Sequence, residues 1–332
     1  LSRCQLPVMS ALAVDGAEER MCVPGTLAAQ IEDAVCMVYG AKGTARVRKS
    51  LRALSDGVDL DRPVGESGHE LMHQQANSYI ETLTPQPWHE TKQHKWASKL
   101  EQKWRVVQKE LKANLADAAL ESKGSNIWGG LQSDRIEYGT DWKTLPLCDR
   151  TVWDATNSAL FPKTCELLTK SKVPLVEAFF AKMPPKTEIK PHSDMCNFVL
   201  TSHLGVDVPE GQCDLTVGDE TVGWKNGKVL LFDTSILHKA ENRADVTRYI
   251  LMLRVYHPEL TAAERAHAAR ARAALRSDDD PLLPPPRRRP SLVWLLAFLL
   301  AGVLLGYLGS SHLSPPSPPP PPPPPPPAHC AL

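Results

Sequence analysis

Residues 176–257 read VEAFFAKMPPKTEIKPHSDMCNFVLTSHLGVDVPEGQCDLTVGDETVGWKNGKVLLFDTSILHKAENRADVTRYILMLRVYH, and this stretch decides the fold. Apolar runs rich in β-branched and aromatic residues alternate with turn residues throughout it. The runs are 176–180, 198–204, 213–217, 221–224, 228–232 and 247–256. Between them stand Met183-Pro184-Pro185, Pro209-Glu210-Gly211 and the Asn226-Gly227 pair, which reads as a hairpin turn. Short strands at this spacing, joined by Gly/Pro turns, predict an antiparallel sandwich or barrel, a mainly β domain. Just beyond, Thr261 and Glu264 have the spacing of a capping box and open an alanine- and arginine-rich helix to about Leu275.

Upstream, Trp96, Leu100, Trp104, Val107, Leu111 and Leu115 recur at steps of three and four, the apolar stripe of one α-helix. Lys99, Lys103, Arg105, Lys109 and Lys112 lie off the stripe. Basic residues beside tryptophans also suit a membrane surface, but a helix packed on the sheet is the expectation. Residues 1–85 look helical in patches, Ala28 to Val38 and His69 to Leu83, and carry no motif. The catalytic candidate is therefore expected over residues 86–275, with its β core at about 142–265.

Downstream of a linker at 276–290, Leu292 to Leu308 reads LVWLLAFLLAGVLLGYL without a charge or a proline. As a helix it would span about 26 Å at ~1.5 Å per residue, close to a hydrocarbon core of ~30 Å. Gly309 to Leu313 can extend it, so residues 291–313 are expected to form one transmembrane helix. Pro318 to Pro327 must then form an extended polyproline II rod, either a solvated spacer or a dock for a polyproline-binding partner. Arg287, Arg288 and Arg289 precede the span and favour a cytosolic catalytic domain.

Equal numbers of basic and acidic side chains, 38 each, give no overall field to attract nucleic acid, and no such partner is expected. The eight cysteines form no CxxC pair, which argues against a zinc knuckle or a thioredoxin-like site. Cys148 and Cys165 would pair only in an oxidising lumen.

The chemistry concentrates in the β region. His192-Ser193-Asp194 is an HxD, and in a strand residues i and i+2 share a face. His238 follows just past the run ending Phe232-Asp233-Thr234. Two imidazoles and one carboxylate leave coordination positions open, the arrangement of non-haem Fe(II) oxygenases. Arg248, ten residues after His238, interrupts an apolar strand and must reach solvent or meet an anion. A dicarboxylate held at the metal by one end would present its other carboxylate to such an arginine.

Pro191 to Asp194, Ser202 to Pro209, Trp224 to Lys228, Phe232 to Ser235, His238, Asn242, Arg248 and His257 to Leu260 together resemble the aspartyl/asparaginyl β-hydroxylase family. The likeness runs in order over about 142–265. It implies a double-stranded β-helix (jelly-roll, cupin-like), Fe(II), 2-oxoglutarate and O2, and hydroxylation of the β-carbon of Asp or Asn in a peptide or protein. By position it implies that His192 and His238 bind iron, that Arg248 grips the distal carboxylate of 2-oxoglutarate, and that His203 lies near its iron-side carboxylate. It also favours a lumenal catalytic domain on an endomembrane such as the endoplasmic reticulum. The animal enzymes have glycine at the place of Asp194, arginine at that of Thr201 and serine at that of Ala181. Two other readings stand beside it: the same chemistry on a lipid or small molecule at the membrane, and a non-catalytic, membrane-tethered β-sandwich binding module.

Overall fold

A computed structural model describes residues 29, 31–33, 36, 40, 42–65, 68–115, 128–130 and 142–266. The chain divides into two units, Leu1–Ser277 and Asp278–Leu332, and every described residue falls in the first. The expected apolar span and polyproline tail lie outside the described residues. Among the described residues no helix is long and apolar enough to cross a membrane.

The tryptophan stripe folds as expected into a helix, here α2 (Lys95–Leu115), which follows α1 (Ala45–Ser55). Between them, β1 (Leu60–Pro63) and β2 (His73–Ala76) form an antiparallel ribbon. His69 to Leu83, expected to be helical, is instead a 3-10 turn followed by β2 and irregular chain. Its apolar positions suggested helical spacing, yet its polar groups are engaged by distant backbone, as described below. The described positions between 29 and 36 are helical, in line with the other patch.

The β region comprises β3 (Gly129–Gly130), β4 (Lys143–Asp149), β5 (Val152–Trp153), the helices α3 (Ala155–Leu160) and α4 (Pro162–Ser171), and then eight strands. These are β6 (Leu175–Met183), β7 (Thr187–His192), β8 (Val199–Asp207), β9 (Cys213–Val217), β10 (Glu220–Gly223), β11 (Val229–Phe232), β12 (His238–Asn242) and β13 (Arg248–Tyr256). One sheet has the order β11-β8-β13-β6-β4-β3, with β5 beside β4; the other runs β10-β9-β12-β7. From β6 onward the chain passes back and forth between the two sheets, the winding of a jelly roll.

This winding corrects one local reading. Asn226-Gly227 is not a hairpin: β10 pairs with β9 and β11 with β8, so the turn carries the chain from one sheet to the other. The tight hairpin is at Gly218-Asp219, where Val217 and Glu220 are paired across a two-residue turn and Gly218 has φ +62°.

β13 is buried on both faces, which accounts for its nearly unbroken apolar run. Leu251, Leu253 and Val255 face the core that α2 and α4 cover, with Leu100, Val107 and Leu111 of α2. Fully burying each such side chain contributes about 1.5–3 kcal/mol. Ile250 faces the other way, between the sheets, with Met183, Ile189, Leu215 and Trp224. The capping box also forms: Thr261 Oγ1 accepts from the Glu264 N–H at 3.2 Å, and Glu264 Oε2 from the Thr261 N–H at 2.9 Å. Helix follows it through residue 266, the last described. Cys148 and Cys165 are free thiols.

Candidate metal centre

β7 and β12 are antiparallel neighbours in the smaller sheet, with His192 and His238 directly opposite each other. Their ring centroids lie 4.2 Å apart. His192 Nδ1 is 2.8 Å from the Lys190 carbonyl oxygen, and His238 Nδ1 is 3.0 Å from that of Ile236. A carbonyl only accepts, so Nδ1 carries the hydrogen in each ring and the Nε2 lone pair is left for a ligand bond. Burial, opposed in part by Asp194, lowers the His238 pKa to about 4, so this ring is neutral near pH 7.

Asp194 joins them by a different route from the one expected. β7 ends at His192, so the carboxylate is not carried by strand alternation. The chain turns there, and the Asp194 N–H donates to the Thr234 carbonyl at 2.8 Å, which ties the loop to the segment preceding β12. Oδ1 then lies 4.0 Å from His192 Nε2, while Oδ2 accepts from Arg254. One ligand atom from each of the three residues lies within 4.8 Å of the others. Burial pushes the Asp194 carboxyl up, but Arg254, His238 and His192 outweigh it and hold the group ionised, below the usual carboxylate range. Two imidazole nitrogens and a carboxylate oxygen, nearly dry and with the tautomers set, fit a divalent metal such as Fe(II).

The same cavity, of about 240 Å³, is also lined by His203, Arg248 and Arg254, with apolar walls from Trp142, Phe179, Ile189, Leu215, Ile250 and Met252. Arg248 is 1% exposed. Its guanidinium carbon sits 4.3 Å from the Trp224 ring centre, and Nη2 is 3.5 Å from Met183 Sδ. Nε and Nη1 have no hydrogen-bond partner among the described residues. Burial lowers its pKa to about 10, which leaves the group charged at neutral pH. A buried cation with idle donors is costly, and an anion entering the cavity would offset that cost.

His203 offers a second donor. Trp224 Nε1 donates to His203 Nδ1 at 3.3 Å, which leaves the hydrogen on Nε2. That nitrogen is buried and has no partner among the described residues. Burial, and then Arg248 and His238, keep the ring neutral. The expected residues therefore come together: three ligand candidates and two side chains whose buried donors have no partner among the described residues surround one cavity.

Arg254 escaped the sequence reading. It shares the parity of Arg248, Ile250 and Met252 along β13, and all four line the cavity. That parity was the signal available. Thr201, which also lines the cavity, is its cross-strand partner on β8.

A sequence profile described as "Aspartyl/Asparaginyl beta-hydroxylase" matches residues 101–258. Human aspartyl/asparaginyl beta-hydroxylase is 29% identical over 212 residues, 60% of this chain but 27% of that protein. Human aspartate beta-hydroxylase domain-containing protein 2 is 33% identical over 133 residues, 38% of this chain and 36% of that protein. The ornithine lipid ester-linked acyl 2-hydroxylase of Rhizobium tropici is 29% identical over 177 residues, 52% of this chain and 61% of that protein. Thus the chain spans between about a quarter and three fifths of the length of these relatives. The match runs from within α2 through β13, the elements that build and back the cavity, and over residues 101–258 this chain is similar to the aspartyl/asparaginyl β-hydroxylase family.

Proposed function

We propose that this chain is an Fe(II)- and 2-oxoglutarate-dependent dioxygenase that hydroxylates a C–H bond, with the β-carbon of Asp or Asn in a peptide or protein as its target. The observation that carries this reading is one cavity holding both the His192–Asp194–His238 cluster and a buried arginine with idle donors. His192, Asp194 and His238 would hold the iron, which with 2-oxoglutarate and O2 supplies C–H hydroxylation, with succinate and CO2 as by-products. Arg248 would bind the distal carboxylate of 2-oxoglutarate, and His203 Nε2–H would donate to an oxygen nearer the metal. The apolar walls would exclude water, which strengthens both contacts.

A second substrate class is favoured by the apolar walls and by the Rhizobium relative, whose name specifies the acyl group of a lipid. Under either reading we propose membrane attachment through Leu292–Leu308, which rests on the apolar run alone.

The test is succinate formation from 2-oxoglutarate by the full chain with Fe(II) and ascorbate, beside His192→Ala. Aspartate-containing peptides and acyl lipids are added separately. Iron-dependent turnover, lost in the variant and stimulated by peptide, is the expected result. Stimulation by lipid alone would move the target to an acyl chain. Folded protein that neither turns over nor binds iron would leave the binding-module reading in place.

A further inference from the structure

Arg248 and Arg254 lie on the same face of β13, six residues and roughly 20 Å apart at ~3.4 Å per residue. They differ in what they meet. Arg248 has idle donors, whereas Arg254 is already engaged with Asp194. That engagement divides the carboxylate: Oδ2 faces the guanidinium, and Oδ1 faces the histidine pair, 4.0 Å from His192 Nε2.

Asp194 needs such a partner. It stands in a loop past the end of β7; the backbone bond to Thr234 fixes its main chain, and its carboxylate meets Arg254 and the Thr234 side chain. Arg254 is carried by a strand paired on both sides, opposite Glu177 of β6 and Thr201 of β8. A side chain on a strand paired along both edges thus holds one on a turn.

We propose that Arg254 is the positioning residue of the metal centre, fixing the Asp194 carboxylate so that Oδ1 alone is presented to the metal. The inference rests on reading His192, Asp194 and His238 as ligands. Groups that orient ligands from outside typically set metal affinity by 10- to 100-fold. Arg254 therefore acts on metal affinity and geometry through the Asp194 carboxylate that it holds, while its charge also reaches His238.

Co(II) binding to the full chain, followed by its visible absorption and by calorimetry, tests this without turnover. Arg254→Ala is expected to weaken Co(II) about 10- to 100-fold and to alter the absorption bands. Arg254→Lys, which keeps a cation, is expected to recover part of the loss. In an Asp194→Ala background Arg254→Ala should weaken Co(II) no further, which separates a positioning role from a general effect on the fold. Should Arg254→Ala fail to fold, Arg254→Lys and the double variant carry the same comparison. Wild-type affinity and spectrum in Arg254→Ala, or an undiminished effect in the Asp194→Ala background, would overturn the proposal. Co(II) binding that is indifferent to His238→Ala would sink the ligand reading itself, and this inference with it.

Discussion

Arg248 combines two conditions in one side chain: it is a buried charge, and its Nε and Nη1 have no hydrogen-bond partner among the described residues. If an anionic cosubstrate supplies the missing partner, its loss should appear in cosubstrate binding. A charge-assisted bond contributes about 1.5–3 kcal/mol, so Arg248→Ala should raise the 2-oxoglutarate requirement roughly 10- to 150-fold, with a smaller change in kcat. Thermal shift gives an independent reading, since 2-oxoglutarate with Mn(II) should raise Tm in the wild type and much less in the variant. His89 supplies a prediction away from the site. It is buried, accepts from Gln86 Nε2 at 2.8 Å, and has its pKa lowered from 6.5 to about 3 by burial, then by His257 and His94. The folded state therefore binds fewer protons than the unfolded one between those values, and stability falls as pH drops through 6.5 toward 3. His89→Gln should flatten that slope, with a difference from wild type on the order of 3 kcal/mol between pH 7 and pH 4 in urea titrations. Parallel curves would rule out His89 as the source. At this scale the sequence was informative wherever a polar residue broke an apolar run, as His192, His238 and Arg248 do. Arg254 breaks a run as well, but its partner lies 60 residues away in sequence, and no local pattern reveals that.

Strands and turns are legible from local chemistry, whereas the sheet to which a strand belongs is not. The runs at 176–180 and 213–217 fall within β6 and β9, and that at 247–256 matches β13 but for its first residue, because apolar content and turn residues act over a few positions. Asn226-Gly227 satisfied the same local rules and was read as a hairpin, yet the strands it joins pair with different partners. The reason lies at Gly205 in β8. Its N–H donates to the Lys228 carbonyl at 3.0 Å, and its own carbonyl accepts from the Gly227 N–H at 2.9 Å, so the turn is seated on the strand. A Cβ at Gly205 would come 2.3 Å from the Lys225 carbonyl oxygen, which leaves no space for a side chain. Gly205→Ala should therefore cost about 1–3 kcal/mol, read as a lower urea midpoint with unchanged slope. A shift below about 0.5 kcal/mol, the range of a neutral surface change, would mean that the crossover turn gives way easily.

At the scale of the whole molecule, the segment before α2 decides whether the ligand loops are held at all. The sequence alone places a boundary at 85/86, because residues 1–85 look helical in patches and carry no motif. In the fold Ala76, Ile80 and Leu83 are buried, and the polar groups around them brace the two loops that carry or flank the ligands. Ser193 Oγ donates to the Gln75 carbonyl at 2.8 Å, and Asn197 exchanges hydrogen bonds with the Ile80 backbone at 2.8 and 2.9 Å. On the other loop, the Gln75 N–H donates to the Ser235 carbonyl at 2.6 Å, and Gln74 Nε2 to Asp233 at 2.7 Å. Both ends of the Asp194–Thr234 tie are thus fastened to the same N-terminal strand. A chain beginning at residue 86 would expose the apolar surface under Ile80 and Leu83 and leave Asn197 and Asp233 buried without these partners, at about 1–3 kcal/mol for each unsatisfied group. It should therefore melt lower than a chain beginning at residue 42 and bind Co(II) more weakly, even though all three ligands, Arg248 and Arg254 remain. Equal Tm and equal Co(II) affinity for the two chains would show that the jelly roll positions its ligands without the N-terminal brace.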